Sequence, residues 1–412
     1  MKKISANLSK YLKPKHGIIL ILAIIILLVI YYLSSNDISE LFTGQSYIVS
    51  PKDRNILILY TGGTIGMVET KDGNEPTKGF LQKQLKKYLD IQKKTNMVSN
   101  YKIKAYDPLL DSSNMSIKNW NQMLIDIRDN YDDYDAFIVV HGTDTLAYTA
   151  SALSFGLENL GKPVIVTGSQ MPLEKVKNDG YDNLLSSLLV ASLTDIPEVL
   201  VVFDDKIMRG NRSKKKSSNK LNAFVSPNFP NLGNFGYKLT PTIINNLIRD
   251  NEKGVFNVQL YNETNEVIIV FLTPGFNYNN VIDLINANAN IKGAIILTFG
   301  IGDGPTANKK FLHMLDVMNE HNIVILNISQ CFDGYIDTQD YETGKTMTKY
   351  KVNSGQDMTI EAGYSKLLYL FSKYSDDNMF YPNQGLIVSN LTKDIRGELS
   401  TSGPDAGEMG PL

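Results

Sequence analysis

Short apolar runs with strand character alternate along the chain with longer segments of helical periodicity. The first group of runs occupies residues 55–60, 136–140, 163–168 and 198–205. A second group occupies residues 266–272, 293–299 and 322–329. Val, Ile, Leu and Phe dominate these runs, as expected for strands of a sheet that is buried on both faces.

Two helices are especially clear from the spacing of their apolar residues. One begins after Ser116, a favourable N-cap, and its apolar face is formed by Ile117, Trp120, Met123, Leu124 and Ile127. The other carries Ile360, Ala362, Leu367, Leu368 and Leu370. Because strands and helices alternate with short connections, the pattern predicts mostly parallel sheets with helices on both faces.

A domain boundary is predicted at residues 229–254, which are rich in Asn, Gly and Pro. The chain is therefore expected to form two Rossmann-like or flavodoxin-like α/β domains, at residues 54–235 and 255–400. The last residues, 401–412, are expected to be a disordered tail.

The N-terminal region differs from the rest because residues 17–33 are strongly apolar and carry no charge. This stretch predicts a single transmembrane helix, with the basic residues 1–16 in the cytoplasm and residues 34–53 as a linker. The globular body would then lie on the lumenal or extracytoplasmic side of the membrane. A cleaved secretory signal is the alternative interpretation.

Composition narrows the chemistry that the globular part can perform. Of the 412 residues of the whole chain 43% are hydrophobic, and its formal net charge of -2 favours a small neutral or zwitterionic ligand over nucleic acid. The single cysteine, Cys331, excludes an intrachain disulfide and a cysteine-based zinc site, and we expect it to be a small buried hydrophobe. Of four scattered histidines only His141 lies at a glycine-flanked strand end, so a metal centre has few candidate ligands and His141 is expected to be structural.

Two of the predicted strands end in glycines that small hydroxyl residues follow at once. Residues 61–64 (TGGT) follow the first strand, and residues 141–144 (HGTD) follow the strand at 136–140. Glycine allows a tight turn, and the ligands of open α/β sheets lie at the carboxyl ends of the strands. The two turns therefore predict a ligand site that is lined by hydroxyl groups.

A threonine hydroxyl at such a site needs a base before it can act as a nucleophile. Because histidine is scarce, lysine is the natural candidate, and residues 209–216 supply basic side chains after the strand at 198–205. If this loop folds back over the sheet, Lys215 can meet Thr143 and Asp144. The alternatives are a solvated loop at residues 214–216 and an N-cap role for Asp144.

Eight motifs occur in order between residues 55 and 400, namely TGGTIGM, PLLDSSNMSIKNW, HGTDTLAYTAS, KPVIVTGSQMPL, DGYDNLL, RGNRSKK with AFVSPNF, ISQC and IRGEL. Together they resemble the bacterial-type L-asparaginases, most of all the cytoplasmic type I branch. The resemblance implies hydrolysis of L-asparagine to L-aspartate and ammonia through an acyl-enzyme intermediate, without a metal or organic cofactor. It also implies a homodimer or homotetramer in which the C-terminal domain of one subunit completes the active site of another.

The resemblance implies catalytic roles for four residues. Thr64 resembles the nucleophile of the family, on a mobile loop. Thr143, Asp144 and Lys215 resemble its second threonine, its carboxylate and its lysine. Asp144 would also contact the ammonium group of the substrate.

Further residues are implied in substrate binding. Ser112 and Ser113 resemble the residues that bind the α-carboxylate and the amine of the substrate. The backbone N–H groups of Gly63 and Gly142 are then candidates to hold an oxyanion or a carboxylate. Ser169 either lines the same rim or simply ends its strand.

Three positions depart from the family pattern. Asn74 stands where many members have a tyrosine that assists the nucleophile, and it cannot supply a phenolic group. Lys214 stands where a small threonine often precedes the lysine, and a second ammonium beside Lys215 would favour a neutral base. Asp303 replaces an asparagine that often reaches into the site of the partner subunit, and its charge would act on the substrate's ammonium.

Two alternatives to an L-asparaginase remain at this point. The first is a related amidohydrolase, either a glutaminase-asparaginase or the ammonia-releasing subunit of a tRNA-dependent amidotransferase. The second is a non-catalytic protein that binds an amino acid in the same pocket. Ammonia release from L-asparagine, L-glutamine and D-asparagine separates the enzymes, and thermal stabilisation without turnover would identify the binding protein.

Overall fold

The structure is a computed structural model that describes residues 47–49, 54–71, 73–76, 79–92, 97–250, 253–337, 341–374 and 383–400. The predicted transmembrane segment at residues 17–33 and the predicted disordered tail at 401–412 lie outside these ranges. The division of the body into domains at residues 54–235 and 255–400 stays a prediction.

Strands and helices alternate through most of the described chain, as the apolar pattern predicts. The strands are β1 Asn55–Gly62, β2 Met67–Thr70, β3 Gly73–Pro76, β4 Asn100–Leu110, β5 Ala136–Val140, β6 Leu157–Glu158, β7 Val164–Thr167, β8 Val199–Phe203, β9 Lys206–Arg209, β10 Lys214–Lys215, β11 Phe224–Val225, β12 Gly233–Asn234, β13 Thr242–Ile243, β14 Asn257–Val258, β15 Glu266–Phe271, β16 Ile291–Thr298, β17 Val324–Ser329 and β18 Val352–Ser354. The α-helices are α1 Phe80–Gln92, α2 Ile117–Asp129, α3 Leu146–Gly156, α4 Gly180–Leu193, α5 Tyr278–Ala287, α6 Lys309–Glu320, α7 Glu342–Lys349, α8 Ile360–Tyr374 and α9 Gln384–Leu391.

The larger sheet contains eight strands of the described chain, in the order β13-β12-β9-β8-β7-β5-β1-β4. The five strands from β8 to β4 are parallel, and β9, β12 and β13 extend the sheet in antiparallel fashion. Numbered along the chain, the parallel strands have the flavodoxin-like order 2-1-3-4-5. The strand order reverses between β1 and β5, so their carboxyl ends border the crevice where such sheets bind ligands.

Helices cover both faces of this sheet because its parallel strands alternate between two apolar cores. Along β1, Leu57 and Leu59 belong to the core under α2 and α3, whereas Ile56, Ile58 and Tyr60 belong to the core under α1 and α4. Successive side chains of a strand point to opposite faces, so a continuous apolar run fills both cores. The prediction of a doubly covered, mostly parallel sheet is confirmed.

The second sheet is fully parallel, in the order β15-β16-β17-β18. Helices α5 and α6 pack on one of its faces, and α8 covers the other. Helix α8 also packs against α3 of the first half, where the rings of Phe155 and Tyr369 lie 5.8 Å apart. The two halves therefore share apolar core residues through α8.

The helix and strand predictions hold at the predicted places, with bounds that shift by a few residues at most. Helix α2 follows the N-cap Ser116, and Trp120, Met123, Leu124 and Ile127 are buried as predicted. Among the elements that were missed, three features stand out: the long edge strand β4, the hairpin β2–β3, and the strands β12 and β13 within the predicted boundary at 229–254. Polar and charged residues interrupt the apolar pattern in all three.

The localisation predicted from the sequence, a single-pass membrane protein with its body on the lumenal or extracytoplasmic side, is wrong. In the part of the chain that the structure describes, no helix has the length and apolar character needed to cross a bilayer.

Candidate active site

The two glycine turns predicted from the sequence lie side by side because β1 and β5 are parallel neighbours. Tyr60 pairs with Val140 at the end of the shared register, and the chain then enters the turns at Gly63 and Gly142. A Cβ atom at Gly63 would lie 2.5 Å from the backbone N and Cα of Gly142, and Gly63 has a φ of +86°. Only glycine fits at residue 63, since both its space and its backbone angle exclude a side chain.

Ser112 packs against Gly142, next to the contact between Gly63 and Gly142. It begins a short 3₁₀ turn after β4 and is buried. A Cβ atom at Gly142 would lie 2.5 Å from the Ser112 Oγ, so glycine is needed here as well. The Ser112 hydroxyl oxygen accepts a hydrogen bond of 3.3 Å from the Asp144 N–H, and its carbonyl accepts one of 2.7 Å from the Thr145 hydroxyl. The ends of β1, β4 and β5 thus form one tightly packed site.

Lys215 reaches this site from a distant part of the chain. Its ammonium donates hydrogen bonds of 2.8 Å to the Thr143 hydroxyl oxygen and of 2.8 Å to the Asp144 carboxylate. Thr143 is buried, whereas the Asp144 side chain is 63% exposed. Asp144 is not the N-cap of α3, a position taken by Thr145. A cation, a buried hydroxyl and a water-accessible carboxylate are thereby joined.

The strand β10 that carries Lys215 is held by two sets of contacts. It pairs with β11, where Lys215 lies opposite Phe224. The 3₁₀ turn that precedes it is anchored by the C-terminal residues, because Arg212 donates a hydrogen bond of 2.7 Å to the carbonyl of Gly397 and Asn211 donates one of 2.9 Å to that of Arg396. The loop therefore folds back over the sheet.

Lys214 points away from Lys215 because neighbouring residues of a strand face opposite sides. Its ammonium lies 3.8 Å from the carboxylate of Glu361, at the start of α8. Burial raises the pKa of Glu361, and the charge of Lys214 partly counteracts this increase. The Lys214 charge is thus directed at Glu361, and its influence on Lys215 stays a prediction.

Thr64 begins the 3₁₀ turn Thr64–Gly66 directly after Gly63. Its side chain is half-buried, and no hydrogen bond holds its hydroxyl among the described residues. Beneath the turn lies the buried phenol of Tyr60, so close that a Cβ atom at Gly66 would lie 1.8 Å from its oxygen. The hairpin β2–β3 follows, and in it Asn74 pairs with Glu69.

The N–H of Gly63 does not have the predicted role. It donates a hydrogen bond of 3.1 Å to the carbonyl of Leu110 at the end of β4, so it is not available to an oxyanion. The N–H of Thr143, in contrast, donates to no acceptor within the described residues. The turn after β5 therefore offers the Thr143 N–H as a backbone donor, whereas the Gly63 N–H after β1 is already bonded.

The remaining predicted residues make their hydrogen bonds outside the group formed by Thr143, Asp144 and Lys215. Ser113 is exposed beside Ser112, and its N–H donates to the Asp111 carboxylate. Ser169 is buried after β7 and donates its hydroxyl to the carbonyl of Met171, 2.7 Å away, which stabilises the local turn. Asp303 accepts a hydrogen bond from the Thr343 hydroxyl in the second half of the chain. No contact between described residues joins Asp303 to Thr143 or Lys215.

Two further predictions concern His141 and Cys331. His141 is fully buried and hydrogen-bonded on both ring nitrogens, so its structural assignment is confirmed. Cys331 is exposed, and the prediction of a buried hydrophobe is wrong because the loop after β17 carries it to the surface. Among the described residues, no three His, Cys, Asp or Glu side chains cluster as metal ligands would.

The C-terminal residues 395–400 were missed as a support of the site, although their motif was noticed. Arg209 and Arg212 both donate to the Gly397 carbonyl, and Arg212 also pairs with Asp357 at 2.8 Å. Glu398 is buried in an ion pair with Lys366. The sequence offered only the motif, because the burial of Arg209, Arg212 and Lys366 becomes visible only in the structure.

Family profiles and a curated relative both match this chain to asparaginases. The family profile described as Asparaginase, N-terminal matches residues 55–246, and that of the Glutaminase/Asparaginase C-terminal domain matches residues 266–380. L-asparaginase 1 of Escherichia coli (strain K12) is 38% identical over 347 residues, which are 84% of this chain and 98% of that protein.

Solved structures show the same similarity. L-asparaginase I from Vibrio cholerae O1 biovar eltor str. N16961 has a TM-score of 0.74 at 37% sequence identity, over 85% of this chain and 100% of that one. A probable cytoplasmic L-asparaginase from Campylobacter jejuni has a TM-score of 0.65 over 83% of this chain and 100% of that one; at 20% identity, it shows the fold alone.

Proposed function

Because the chain belongs to the asparaginase family, we propose that it is an L-asparaginase, which hydrolyses L-asparagine to L-aspartate and ammonia. The observation that carries this proposal is the contact of Lys215 with Thr143 and Asp144, next to the turn that bears Thr64. These groups meet at the carboxyl ends of β1 and β5, where a sheet of this strand order binds its ligand.

Thr64 is the nucleophile in this proposal, because its half-buried hydroxyl is not held by another described residue. Its oxygen forms a bond to the side-chain amide carbon of asparagine, and the bond from that carbon to nitrogen breaks. The Thr64 proton is transferred to the departing nitrogen, which leaves as ammonia. An aspartyl ester of Thr64 remains as the intermediate.

Thr143, Asp144 and Lys215 hold and move the proton during both steps. The Thr143 hydroxyl relays it towards Lys215, and the Asp144 carboxylate stabilises the positive charge on Lys215. In the second step water adds to the ester, one of its protons returns to the Thr64 oxygen, and aspartate leaves. One water is consumed for each ammonia released, and no cofactor takes part.

The substrate's charged groups are bound, in this proposal, by the polar residues around the turn after β5. Asp144 is sufficiently exposed to contact the α-ammonium group, and Ser112 and Ser113 at the end of β4 face the α-carboxylate. Ser169 lines the rim more remotely, because its hydroxyl is already bonded to Met171. The oxyanion is stabilised by the N–H of Thr143, which has no other described acceptor.

A homodimer or homotetramer is proposed as the functional state. Asp303 lies in the second half of the chain, bonded to Thr343, and no described contact brings it to Lys215. A role for Asp303 at a substrate ammonium therefore requires the site of a second copy. Light scattering on the purified protein tests this, and a monomer that retains full activity would contradict it.

The proposed reaction is tested by ammonia release from L-asparagine, with L-glutamine and D-asparagine in parallel. We expect release from L-asparagine, and a loss of about 10³-fold or more in kcat for Thr64→Ala. Thr64→Ser keeps the hydroxyl and is the matched control.

The nucleophile is identified by trapping the acyl-enzyme. Hydroxylamine added during turnover should yield the β-hydroxamate of aspartate, and acid-quenched wild-type protein should carry an aspartyl group on the peptide that contains Thr64. An adduct on the peptide that contains Thr143 would contradict the assignment, and no ammonia release by the wild type would contradict the function.

A further inference from the structure

A chain of three hydrogen bonds ends at the peptide group between Gly142 and Thr143. The Trp120 indole Nε1 on α2 lies 3.0 Å from the Thr149 hydroxyl oxygen on α3. That oxygen lies 2.9 Å from Nε2 of His141, and Nδ1 of His141 lies 2.7 Å from the Gly142 carbonyl oxygen. All three side chains are buried, so water does not compete for these bonds.

The chemistry of the groups determines which atom donates in each bond. An indole N–H can only donate, so the Thr149 oxygen accepts from Trp120 and its own proton is free to donate to His141 Nε2. A neutral imidazole has one donor and one acceptor nitrogen, and Nδ1 must therefore carry the proton. Nδ1 then donates to the carbonyl of Gly142, which can only accept.

Burial keeps the ring neutral, as this pattern requires. His141 is completely buried, and burial lowers its pKa to about 4, although its bond to the Gly142 carbonyl acts in the opposite direction. No charged side chain is bonded to the ring, whose two partners are the Thr149 hydroxyl and the Gly142 carbonyl. A single tautomer of His141 is thus selected by residues of two helices.

The peptide that His141 holds is also the one that presents the Thr143 N–H. This peptide is trans and planar, so its N–H points opposite to its carbonyl. The carbonyl is directed at His141, in the layer of α2 and α3. The N–H is therefore directed away from His141, and no described residue accepts a hydrogen bond from it.

From this geometry we infer that His141 is a positioning residue for catalysis: with Thr149 and Trp120, it fixes the orientation of the Gly142–Thr143 peptide so that the Thr143 N–H faces the substrate carbonyl. The inference rests on the proposed function. His141 does not touch the substrate and transfers no proton. Without this donor, the Gly142 carbonyl loses its hydrogen bond, and the orientation of the Gly142–Thr143 peptide is no longer fixed.

The test compares variants that keep or remove a donor at the position of Nδ1. His141→Asn retains one, because its amide nitrogen occupies a similar place, whereas His141→Leu fills the space without a donor. For His141→Leu we expect a loss of about 10²-fold in kcat with a change of less than about threefold in KM, since the oxyanion forms mainly after binding. His141→Asn should recover at least about tenfold of that loss.

A second pair tests the selection of the tautomer independently. Thr149→Val removes the hydroxyl that donates to Nε2, and Thr149→Ser retains it. We expect Thr149→Val to lower kcat several-fold and Thr149→Ser to remain close to the wild type. If His141→Leu does not fold, His141→Gln replaces it, because its amide reaches the position of Nε2 and not of Nδ1; His141→Asn should then be the more active.

Two results would overturn the inference. One is a folded His141→Leu with the kcat of the wild type, and the other is equal losses in the donor-keeping and donor-lacking variants. Both require an active wild-type protein, so they are distinguishable from a failure of the proposed function, in which the wild type itself releases no ammonia and both proposals fall.

Discussion

The ammonium of Lys215 lies 2.8 Å from the hydroxyl oxygen of Thr143, although 72 positions separate the two residues in the chain. Two independent pieces of structure bring them together. The switch point of the sheet places Thr143 at the carboxyl end of β5, and the C-terminal residues hold the turn that leads to Lys215. The proposed proton relay therefore depends on both halves of the chain.

Replacement of Lys215 by methionine should abolish most activity and leave the protein folded. Lys215→Met removes the proton acceptor and the partner of Thr143, so we expect kcat to fall by about 10²- to 10⁴-fold. Ammonia release measures the effect, and the melting temperature should change little, because the ion pair with the exposed Asp144 contributes weakly to stability.

Lys214→Met is the matched control, one residue away on the opposite face of the strand. Lys214 contacts Glu361 and not Thr143, so its loss should leave kcat within about threefold of the wild type. Equal losses in the two variants would show that the loop as a whole, and not the Lys215 amine, supports activity.

Alanine at either glycine of the paired turns should be poorly tolerated. At Gly63 the new Cβ meets the backbone of Gly142 and the φ of +86° is strained, whereas at Gly142 it meets the side chain of Ser112. We expect a loss of about 1–3 kcal/mol in the free energy of unfolding at each position, with the larger loss at Gly63 because backbone atoms cannot move aside. Denaturant unfolding measures both.

Gly385→Ala serves as the control for these substitutions. It lies in α9, and a Cβ atom there meets nothing within 4 Å. We expect it to be neutral or stabilising by up to about 1 kcal/mol, since alanine is the better helix former. A destabilisation like that of Gly63→Ala would mean that steric fit is not the cause.

The buried ion pair of Lys366 and Glu398 should be sensitive to the loss of one partner. Both side chains are fully buried, so Lys366→Met leaves an uncompensated carboxylate and should cost about 3–5 kcal/mol in the free energy of unfolding. Glu398 also accepts hydrogen bonds from the N–H groups of Ile395 and Arg396, which glutamine can still accept. The double variant Lys366→Met/Glu398→Gln should therefore recover at least half of the loss.

A double variant no more stable than Lys366→Met would contradict this account. It would mean that packing around residue 366, and not the unpaired charge, determines the cost.

The lowered pKa of His141 predicts how the stability of the protein depends on pH. Its pKa is about 4 in the folded protein and about 6.5 when unfolded, so between these values the unfolded chain binds more protons. The free energy of unfolding should consequently fall as the pH is lowered from 6.5 to 4, by about 3 kcal/mol from this residue. Above pH 6.5 the ring is neutral in both states and the contribution is constant.

The measurement compares urea unfolding of the wild type and His141→Asn at several pH values. Other titrating groups are common to both proteins, so the difference between the two curves isolates His141. The difference in the free energy of unfolding should narrow as the pH falls from about 6.5 to about 4. A difference that does not vary with pH would contradict the burial of a neutral His141 ring.

Local sequence patterns were sufficient for the central strands of both sheets and for helices α2 and α8. The runs at residues 56–60 of β1, at β5 and at β8 are continuously apolar, because both of their faces are buried. Strand β4 was missed because it is an edge strand whose polar residues include Lys102, Lys104 and Asp107. An edge strand is partly exposed to water, so its composition does not differ from that of a loop.

The candidate site was predictable in its parts but not in all its contacts. Glycines followed by threonines indicated the turns at residues 61–64 and 141–144, and the motifs supplied Lys215. The hydrogen bond from the Gly63 N–H to Leu110 was not predictable, since it depends on the unpredicted strand β4. The exposure of Cys331 likewise depends on a loop whose path no local pattern indicates.

The sequence by itself determined where the strands run and that hydroxyl residues follow the glycine turns, because these properties follow from local composition and backbone freedom. Only the tertiary structure decided which residues each of the two adjacent lysines contacts. Strand pairing with β11 turns Lys215 towards Thr143, and the buried carboxylate of Glu361 attracts Lys214 to the other face. The direction of a side chain depends on residues far away in the chain, and no local pattern contains that information.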